Sequence, residues 1–343
     1  MWPVIKANAY GHGSEIVAST LVAEGVDTLC FATVSETLHL KRRGINVRSI
    51  ILNPLLGSSL SEAVDNAIEV VLCNQRQLDE LAARSDTDAR PVYAHILVDT
   101  GMARAGVQPD EFDAFVSACD KVSKLNIVGV MSQLACADNP DNPVSQQQLE
   151  VFLALRADDQ RLTEAQWHLF NSAGLLSLDG SALDAVRPGI AMYGLNPFSP
   201  NIAHPSISEL RPVLELHSTI THVELLPAGR GVSYGHRFVT TRETLIATVP
   251  VGYGDGLSRA LSGRMDMLVQ GVRCPQVGTI TMDQCMIDVT ALKGRVSVGD
   301  SVVVVGEQGN ECISIDELAA SAATINYEIV TALADRVPRF LVD

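Results

Sequence analysis

Positive charge is scarce in this chain. Its 343 residues hold 25 lysines and arginines against 40 aspartates and glutamates, a formal net charge of −15 at pH 7. No basic stripe relieves that deficit, so a nucleic-acid partner, which needs clustered cations, is not expected. Long hydrophobic runs are missing too. The longest, such as TLIATVPVGYG, are short and broken by glycine, so none reads as a membrane span. The opening residues MWPVIKANAY lack the charged leader and cleavage site of a secretory signal. The seven cysteines (Cys30, Cys73, Cys119, Cys136, Cys274, Cys285 and Cys312) show no CxxC or Cys/His spacing. No metal is therefore expected, and they read as small, reduced, buried hydrophobes. Internal repeats and low-complexity segments are absent. These exclusions point to a soluble cytoplasmic protein.

Apolar residues are plentiful. At 47% they can fill a large core, and the length suits one large domain or two. The first two hundred residues alternate short apolar runs with helical stretches. The apolar runs are WPVIKA, TLCFAT, SIILN, EVVLC, YAHILVD, IVGVMSQLA, QWHLF and VRPGIAMYG. The helical stretches between them include GSEIVASTLVAEG, SETLHLKRRG, NQRQLDELAARS and NPVSQQQLEVFLALRADD. Alternation of this kind predicts parallel strands with crossover helices. Eight strands predict an α/β fold of the (β/α)8 type, a TIM-like barrel with its functional groups at the C-terminal strand ends. Lys6, Asp99, Gln133 and Asn171 sit at such ends. After about residue 207 the texture becomes β-rich, in LELHSTITHVELL, TLIATVPVGY, MDMLVQGVRCPQVGTITMDQCMIDV and SVVVVG. The expected organisation is a barrel over 1–207 and a mainly antiparallel β domain over 208–343. The Pro-containing stretch NPFSPNIAHPSIS would connect them.

Two stretches carry chemistry. VIKANAYGHG puts Lys6 at the end of the first strand. A lone lysine is most often a solvated surface residue. At a barrel mouth it can condense with the carbonyl of a cofactor or substrate. VRPGIAMYGLNP ends a strand in Arg187 and turns through Pro188 and Gly189. The Gly189 and Ile190 N–H groups are then placed to bind phosphate, as late loops of such barrels often do. FNSAG adds Ser172 in another small turn.

Together VIKANAYGHG, VDTGMARAGV, FNSAG, VRPGIAMYGLNP, GVSYGHR, VPVGYGDG and VGTITMDQCMIDV resemble, in order and over nearly the whole chain, the motifs of the alanine racemase family. The resemblance implies a pyridoxal 5'-phosphate enzyme, a barrel followed by a β domain, that works as a homodimer on a small amino acid. It implies that Lys6 carries the cofactor and serves one face of the substrate Cα. Tyr234, donated by the partner subunit, would serve the other face. Tyr10, Ser172, Gly189 and Ile190 would hold the phosphate. Arg187 would meet the pyridine nitrogen, with His168 supporting it. Arg104 and the Met282 backbone N–H would take the substrate carboxylate, and Tyr253 would lie at the substrate entrance of the partner's site. Racemisation removes a proton from one face and returns it to the other, which suits two bases. Tyrosine ordinarily titrates near pH 10 and needs help from neighbouring charge or hydrogen bonds. Arginine keeps its proton, which leaves the pyridine nitrogen a neutral acceptor and limits side reactions.

The chain also departs from the family pattern. Only five residues precede Lys6, fewer than is usual, so either the true beginning is missing or the fold has lost a piece. Leu97 stands where many members have a carbamylated lysine, so Arg104 must be held another way. Gln133 replaces the histidine that usually stacks on the cofactor. Asp335 replaces a tyrosine, and as a carboxylate it should point away from phosphate. These changes keep alternatives open: a racemase for serine or a broader set of amino acids, or a degenerate, non-catalytic cofactor-binding homologue. A decarboxylase of the same plan would not be expected to carry GVSYG or MDQCM.

Overall fold

The apolar runs of the first half are bounded by glycine, proline and polar residues, and their β-branched content favours extended chain. In the computed structural model, which describes residues 1–84, 90–200 and 202–342, six of them pair side by side in sequence order. They are β1 (Thr28–Phe31), β2 (Arg48–Pro54), β3 (Glu69–Leu72), β4 (Val92–Leu97), β5 (Leu125–Met131) and β6 (Gln166–His168). All five pairings are parallel. Helix Ser14–Ala23 precedes β1, and helices Val34–Arg42, Gly57–Asp65, Gln75–Arg84, Phe112–Cys119 and Val144–Asp158 supply the five crossovers. Two strands, β1 and β3, are buried along their whole length, as parallel strands covered on both faces are.

The remaining two runs close the ring without forming a full ladder. Val4 bridges Cys30 in parallel, and Ala185 bridges His168 in parallel. The two meet: the Trp2 N–H donates to Val186 O at 2.9 Å, and the Val4 N–H to Pro188 O at 2.9 Å. Eight segments thus form the (β/α)8 barrel expected from the alternation. Pro3 and Pro188 explain why the seam is thin, since neither has an N–H to give to a ladder. One expectation is corrected here. Lys6 does not end a regular strand: the first segment bridges only at Val4, and the residues after Lys6 take a left-handed turn. The run VRPGIAMYG turns after Arg187, as expected, into a 3-10 turn over Ile190–Tyr193. Ser85 of the run NQRQLDELAARS, Asn201 of the Pro-containing connection and the final Asp343 lie outside the described residues.

Chain contacts separate two units. One comprises Met1–Met192 with Pro197–Ser208; the other begins at Glu209 and takes in Tyr193–Asn196. Close approach anchors that short excursion in the second unit. A Cβ on Gly194 would lie 1.7 Å from Arg211 O, and Asn326 Nδ2 donates to Asn196 O at 2.7 Å.

The second unit is built from antiparallel pairs. Its strands are β7 (Leu216–Thr219), β8 (His222–Leu226), β9 (Gly231–Val232), β10 (Phe238–Val239), β11 (Thr244–Val249), β12 (Asp266–Val269), β13 (Val272–Val277), β14 (Cys285–Asp288), β15 (Ser301–Gln308) and β16 (Glu311–Ile313). The main sheet runs β16-β15-β12-β13-β14-β11-β8, with β7 paired to β15. Buried and more exposed residues alternate along β14, as in a sheet with one covered face. The β9–β10 hairpin around Tyr234 was not marked out by the β-rich texture. No helix among the described residues is long and apolar enough to cross a membrane.

The barrel loop after β4 offers a test. Gly106 has φ +140°, and a Cβ there would lie 2.4 Å from the Asp99 nitrogen, a backbone atom that cannot swing away. Gly25 also has positive φ (+86°) but open space around it. Gly25→Ala is expected to cost about 1 kcal/mol, and Gly106→Ala roughly 3 kcal/mol or more. Urea midpoints of both variants measure the difference; equal losses would mean that backbone contact does not dictate the glycine.

Candidate active site

Lys6 owes its placement to an unusual backbone. Ala7, Asn8, Ala9 and Tyr10 all have positive φ, between 51° and 55°. Left-handed residues other than glycine cost about 1–2 kcal/mol each, so such a run must be held from outside. The Gly11 N–H closes the turn on Ala7 O at 2.9 Å, and Asn8 Oδ1 accepts the Ser14 N–H at 2.7 Å. Glu36 supplies the external tie. One carboxylate oxygen accepts the Ala7 N–H at 2.7 Å, and the other accepts the N–H groups of Ala32 and Thr33 at 2.9 and 3.0 Å. Glu36 is also the N3 residue of a capping box with Thr33, so helix Val34–Arg42 fixes it. This residue was missed in the sequence, although the T-x-x-E pattern before a helix was visible there.

Tyr10, at the end of the turn, is buried against the loop after the eighth barrel segment. A Cβ on Gly189 would sit 2.5 Å from the Tyr10 hydroxyl, which is why that position is bare. Ser172, the first residue of helix Ser172–Ser177, turns its hydroxyl toward the same loop. It accepts the N–H of Gly189 at 2.8 Å and of Ala191 at 3.2 Å, which leaves its own proton to donate. Burial, with Cys30 nearby, pushes the Tyr10 phenol up to about 12, so it stays a protonated donor. Tyr10, Ser172, Gly189 and Ile190 are therefore gathered in one place.

Arg187 is buried, and its charge reaches Lys6. Its Nη2 donates to Ser132 O at 2.6 Å and Leu169 O at 3.1 Å; its Nη1 donates to His168 O at 2.8 Å and to His168 Nδ1. Gln133 Oε1 lies 3.4 Å from Nη2, so Gln133 is a partner of the arginine. Burial lowers the guanidinium to about 10, still cationic at neutral pH.

Arg104 is exposed on the loop that follows β4. That loop is wrapped on Asp99, whose Oδ1 accepts the N–H groups of Gly101, Met102 and Ala103 at 3.0, 2.8 and 3.0 Å. Burial alone would raise the Asp99 carboxyl, but these donors outweigh it and hold it below the ordinary range. Leu97 lies in an apolar cluster with Val71 and Met131, against Leu52, Cys73 and Ala105. What fixes Arg104 is thus the backbone that carries it, and Leu97 serves packing.

Tyr234, Tyr253 and Met282 belong to the second unit. Tyr234 stands at the tip of the β9–β10 hairpin, 74% exposed. The hairpin is tied down by Thr279 Oγ1, which donates to Tyr234 O at 2.8 Å, and by Ser233 Oγ, which donates to Thr279 O at 2.7 Å. The Tyr253 N–H donates to Thr281 O at 3.0 Å and the Gly254 N–H to Met282 O at 2.8 Å. One backbone stretch, 279–282, therefore carries all three residues on a common framework. Arg336 braces it through Asp255 and Asp283, both at 2.8 Å, while Asp335 beside it is exposed.

Residues 1–197 match the family model described as the N-terminal domain of alanine racemase, and residues 213–341 match its C-terminal domain. The chain belongs to the alanine racemase family. It is 36% identical over 341 residues to the alanine racemase of Clostridium novyi, covering 98% of this chain and 87% of that one. It is 39% identical over 339 residues to that of Symbiobacterium thermophilum, covering 98% and 89%. Among solved structures it superposes on the alanine racemase of Bacillus anthracis with bound L-Ala-P at TM-score 0.91, with 34% identity and coverage of 100% and 88%. The alanine racemase of Bartonella henselae with covalently bound pyridoxal phosphate gives TM-score 0.87, with 28% identity and coverage of 99% and 92%.

The Lys6 amine of this alanine racemase relative is shifted below the ordinary lysine value, first by burial, then by the Arg104 charge; Glu36 opposes the shift and Arg187 adds to it. A lowered value means that free amine forms at lower pH. In protein freed of any carbonyl ligand, Arg104→Met should move the pH midpoint of Lys6 acylation upward, and Glu36→Gln should move it downward. Peptide mass spectrometry after timed labelling measures both; shifts of the opposite sign would refute this electrostatic account.

Proposed function

We propose that the protein interconverts L- and D-alanine with pyridoxal 5'-phosphate, as a cytoplasmic homodimer whose product serves peptidoglycan synthesis. The working division is a barrel over 1–207 and a β domain over 208–343. The carrying observation is the convergence of the Lys6 amine, the buried Arg187 and the Tyr10–Ser172–Gly189 cradle in a member of the alanine racemase family.

The residues suit this cofactor. The cradle offers two hydroxyl donors and a glycine whose missing side chain leaves room beside Tyr10. Arg187 offers only donors and stays charged, which matches a ring nitrogen that accepts. Ile190 follows Gly189 in the same loop, and His168 backs the arginine. Bound to Lys6, pyridoxal phosphate supplies a π-system that spreads the charge left at Cα when its proton departs.

Lys6 and Tyr234 then divide the proton work. The Lys6 amine, whose charged form burial disfavours, takes or returns the proton on one face. Tyr234, donated by the partner subunit, does so on the other. Each base must come within about 3–3.5 Å of the carbon it serves. Arg104 and the Met282 N–H hold the substrate carboxylate, which fixes which face each base sees. Tyr253 lines the entrance and limits the size of the side chain admitted. The exposure of Tyr234 (74%), Met282 (53%) and Tyr253 (43%) supports the reading that they serve a site completed by a second copy.

Purified protein should be yellow, and borohydride should fix the cofactor's mass on the peptide that contains Lys6. Chiral analysis should show L-alanine becoming a racemate faster than L-serine does, without release of CO2. Lys6→Ala and Tyr234→Phe should each abolish racemisation. After subunit exchange a mixture of the two should regain it, because each mixed dimer holds one intact site. No recovery after verified exchange would remove Tyr234 from the partner's site.

A further inference from the structure

A polar chain runs through the barrel where a (β/α)8 core is ordinarily packed with branched apolar residues. It begins at the N-terminal strand ends, with Arg48 the first residue of β2 and Glu69 the first of β3. Arg48 Nε and Nη2 donate to the two Glu69 oxygens at 2.6 and 3.0 Å, and Arg48 Nη1 donates to Gln166 Oε1 at 3.0 Å. Glu69 Oε2 lies 2.7 Å from His95 Nε2, and His95 Nδ1 lies 2.9 Å from His168 Nε2. His168 Nδ1 meets Arg187 Nη1. The chain therefore ends at the arginine of the proposed cofactor site.

The simplest account is a satisfied structural network, since buried charges must be paired. The direction of donation says more. Arg187 has only N–H donors, so His168 Nδ1 must accept and its proton must sit on Nε2. His168 Nε2–H then donates, so His95 Nδ1 must accept and the His95 proton must also sit on Nε2. His95 Nε2–H donates to Glu69, which as a carboxylate accepts only. One assignment satisfies all three links, and reversing any one of them sets two donors face to face. Burial, above all, lowers both imidazoles, so they stay neutral. Burial would raise the Glu69 carboxyl, but its bonds to His95 and Arg48 outweigh this and keep it ionised.

The surroundings enforce the geometry. A Cβ on Gly129 would lie 2.0 Å from His95 Nδ1, so β5 leaves that position bare for the ring. The Trp2 indole packs edge-on to His168 and His95, with centroids 4.7 and 5.9 Å away, and the Arg48 guanidinium stacks on its face at 4.9 Å. A carboxylate placed directly on Arg187 would use up its donors. Two neutral imidazoles in between pass on only polarisation, because each acceptor is strengthened by the bond behind it.

We propose that Glu69 and His95 are positioning residues of the cofactor site: they fix His168 as its Nε2–H tautomer and so keep its Nδ1 the acceptor that aims Arg187 at the ring nitrogen. This rests on the pyridoxal phosphate reading for what Arg187 faces. The proton positions themselves do not depend on it.

The test uses the full-length protein, as purified with its cofactor, labelled with 15N-histidine. The expected spectrum shows His95 and His168 both neutral, with the proton on Nε2. Glu69→Gln keeps the shape and removes the charge. It should weaken pyridoxal phosphate binding several-fold, shift the visible absorption maximum and lower kcat while leaving KM unchanged. Glu69→Met, which removes the acceptor, should go further in the same direction, with roughly ten-fold weaker cofactor binding. A doubly protonated His168, or one protonated on Nδ1, overturns the proposal without any substitution. A folded Glu69→Gln protein with unchanged tautomers, cofactor affinity and spectrum overturns it too, and leaves the chain a purely structural network. If no pyridoxal phosphate binds at all, the functional reading fails on that ground, whichever tautomers are found.

Discussion

A positive charge sits in the core of the barrel, and each group hydrogen-bonded to it is an acceptor. Arg187 keeps its proton at neutral pH despite burial, so the chain must bring oxygen and nitrogen lone pairs to it. It does so with the backbone at the ends of two strands. Ser132 O follows β5, while His168 O and Leu169 O come from the end of β6 and just beyond. The Arg187 N–H itself donates to Phe170 O at 2.8 Å, so the same segment that seals the barrel seam also seats the guanidinium. Barrel closure and the seating of Arg187 thus depend on the same segment.

The second constraint lies in the turn after Lys6. Four consecutive left-handed residues without glycine are unfavourable in isolation, and the barrel keeps them through Glu36. That carboxylate reaches the turn with one oxygen and caps its own helix with the other. Strain at the lysine is thereby offset by hydrogen bonds in a neighbouring β/α unit. The turn places Tyr10 against Gly189, so strained backbone and phosphate cradle are linked through a contact that no side chain at position 189 would permit.

The departures from the family pattern have local explanations. Leu97 joins an apolar cluster, and the loop bearing Arg104 is held from below by the N–H groups gathered on Asp99. Gln133, at the place of a stacking ring, adds an acceptor to Arg187. Its own carbonyl is bonded by Gln148, which also ties Thr100 and Ala135, so one side chain joins the loops after β4 and β5. Each of these residues is accounted for by contacts within the barrel, which leave Lys6 and Arg187 in place.

The alternation of apolar runs with helical stretches determined the barrel, because parallel strands need crossovers and buried strands need apolar residues on both faces. The change to β-rich texture near residue 207 likewise marked an antiparallel sheet. Ordered motifs marked Lys6, Tyr10, Ser172, Arg187 and Gly189, residues that tertiary structure then gathered. Periodicity could not reveal the left-handed turn, since alanine and tyrosine carry no signal for positive φ and one asparagine, which tolerates it, does not announce four such residues in a row. Nor could it reveal the thin seam at Val4 and Ala185, where prolines remove the donors a strand ladder needs. Arg48, Glu69 and His95 sit on three successive strands, and nothing in their spacing tells that their side chains point inward along one line. Only closure of the barrel brings them together, because contact between residues so distant in sequence depends on register and strand tilt.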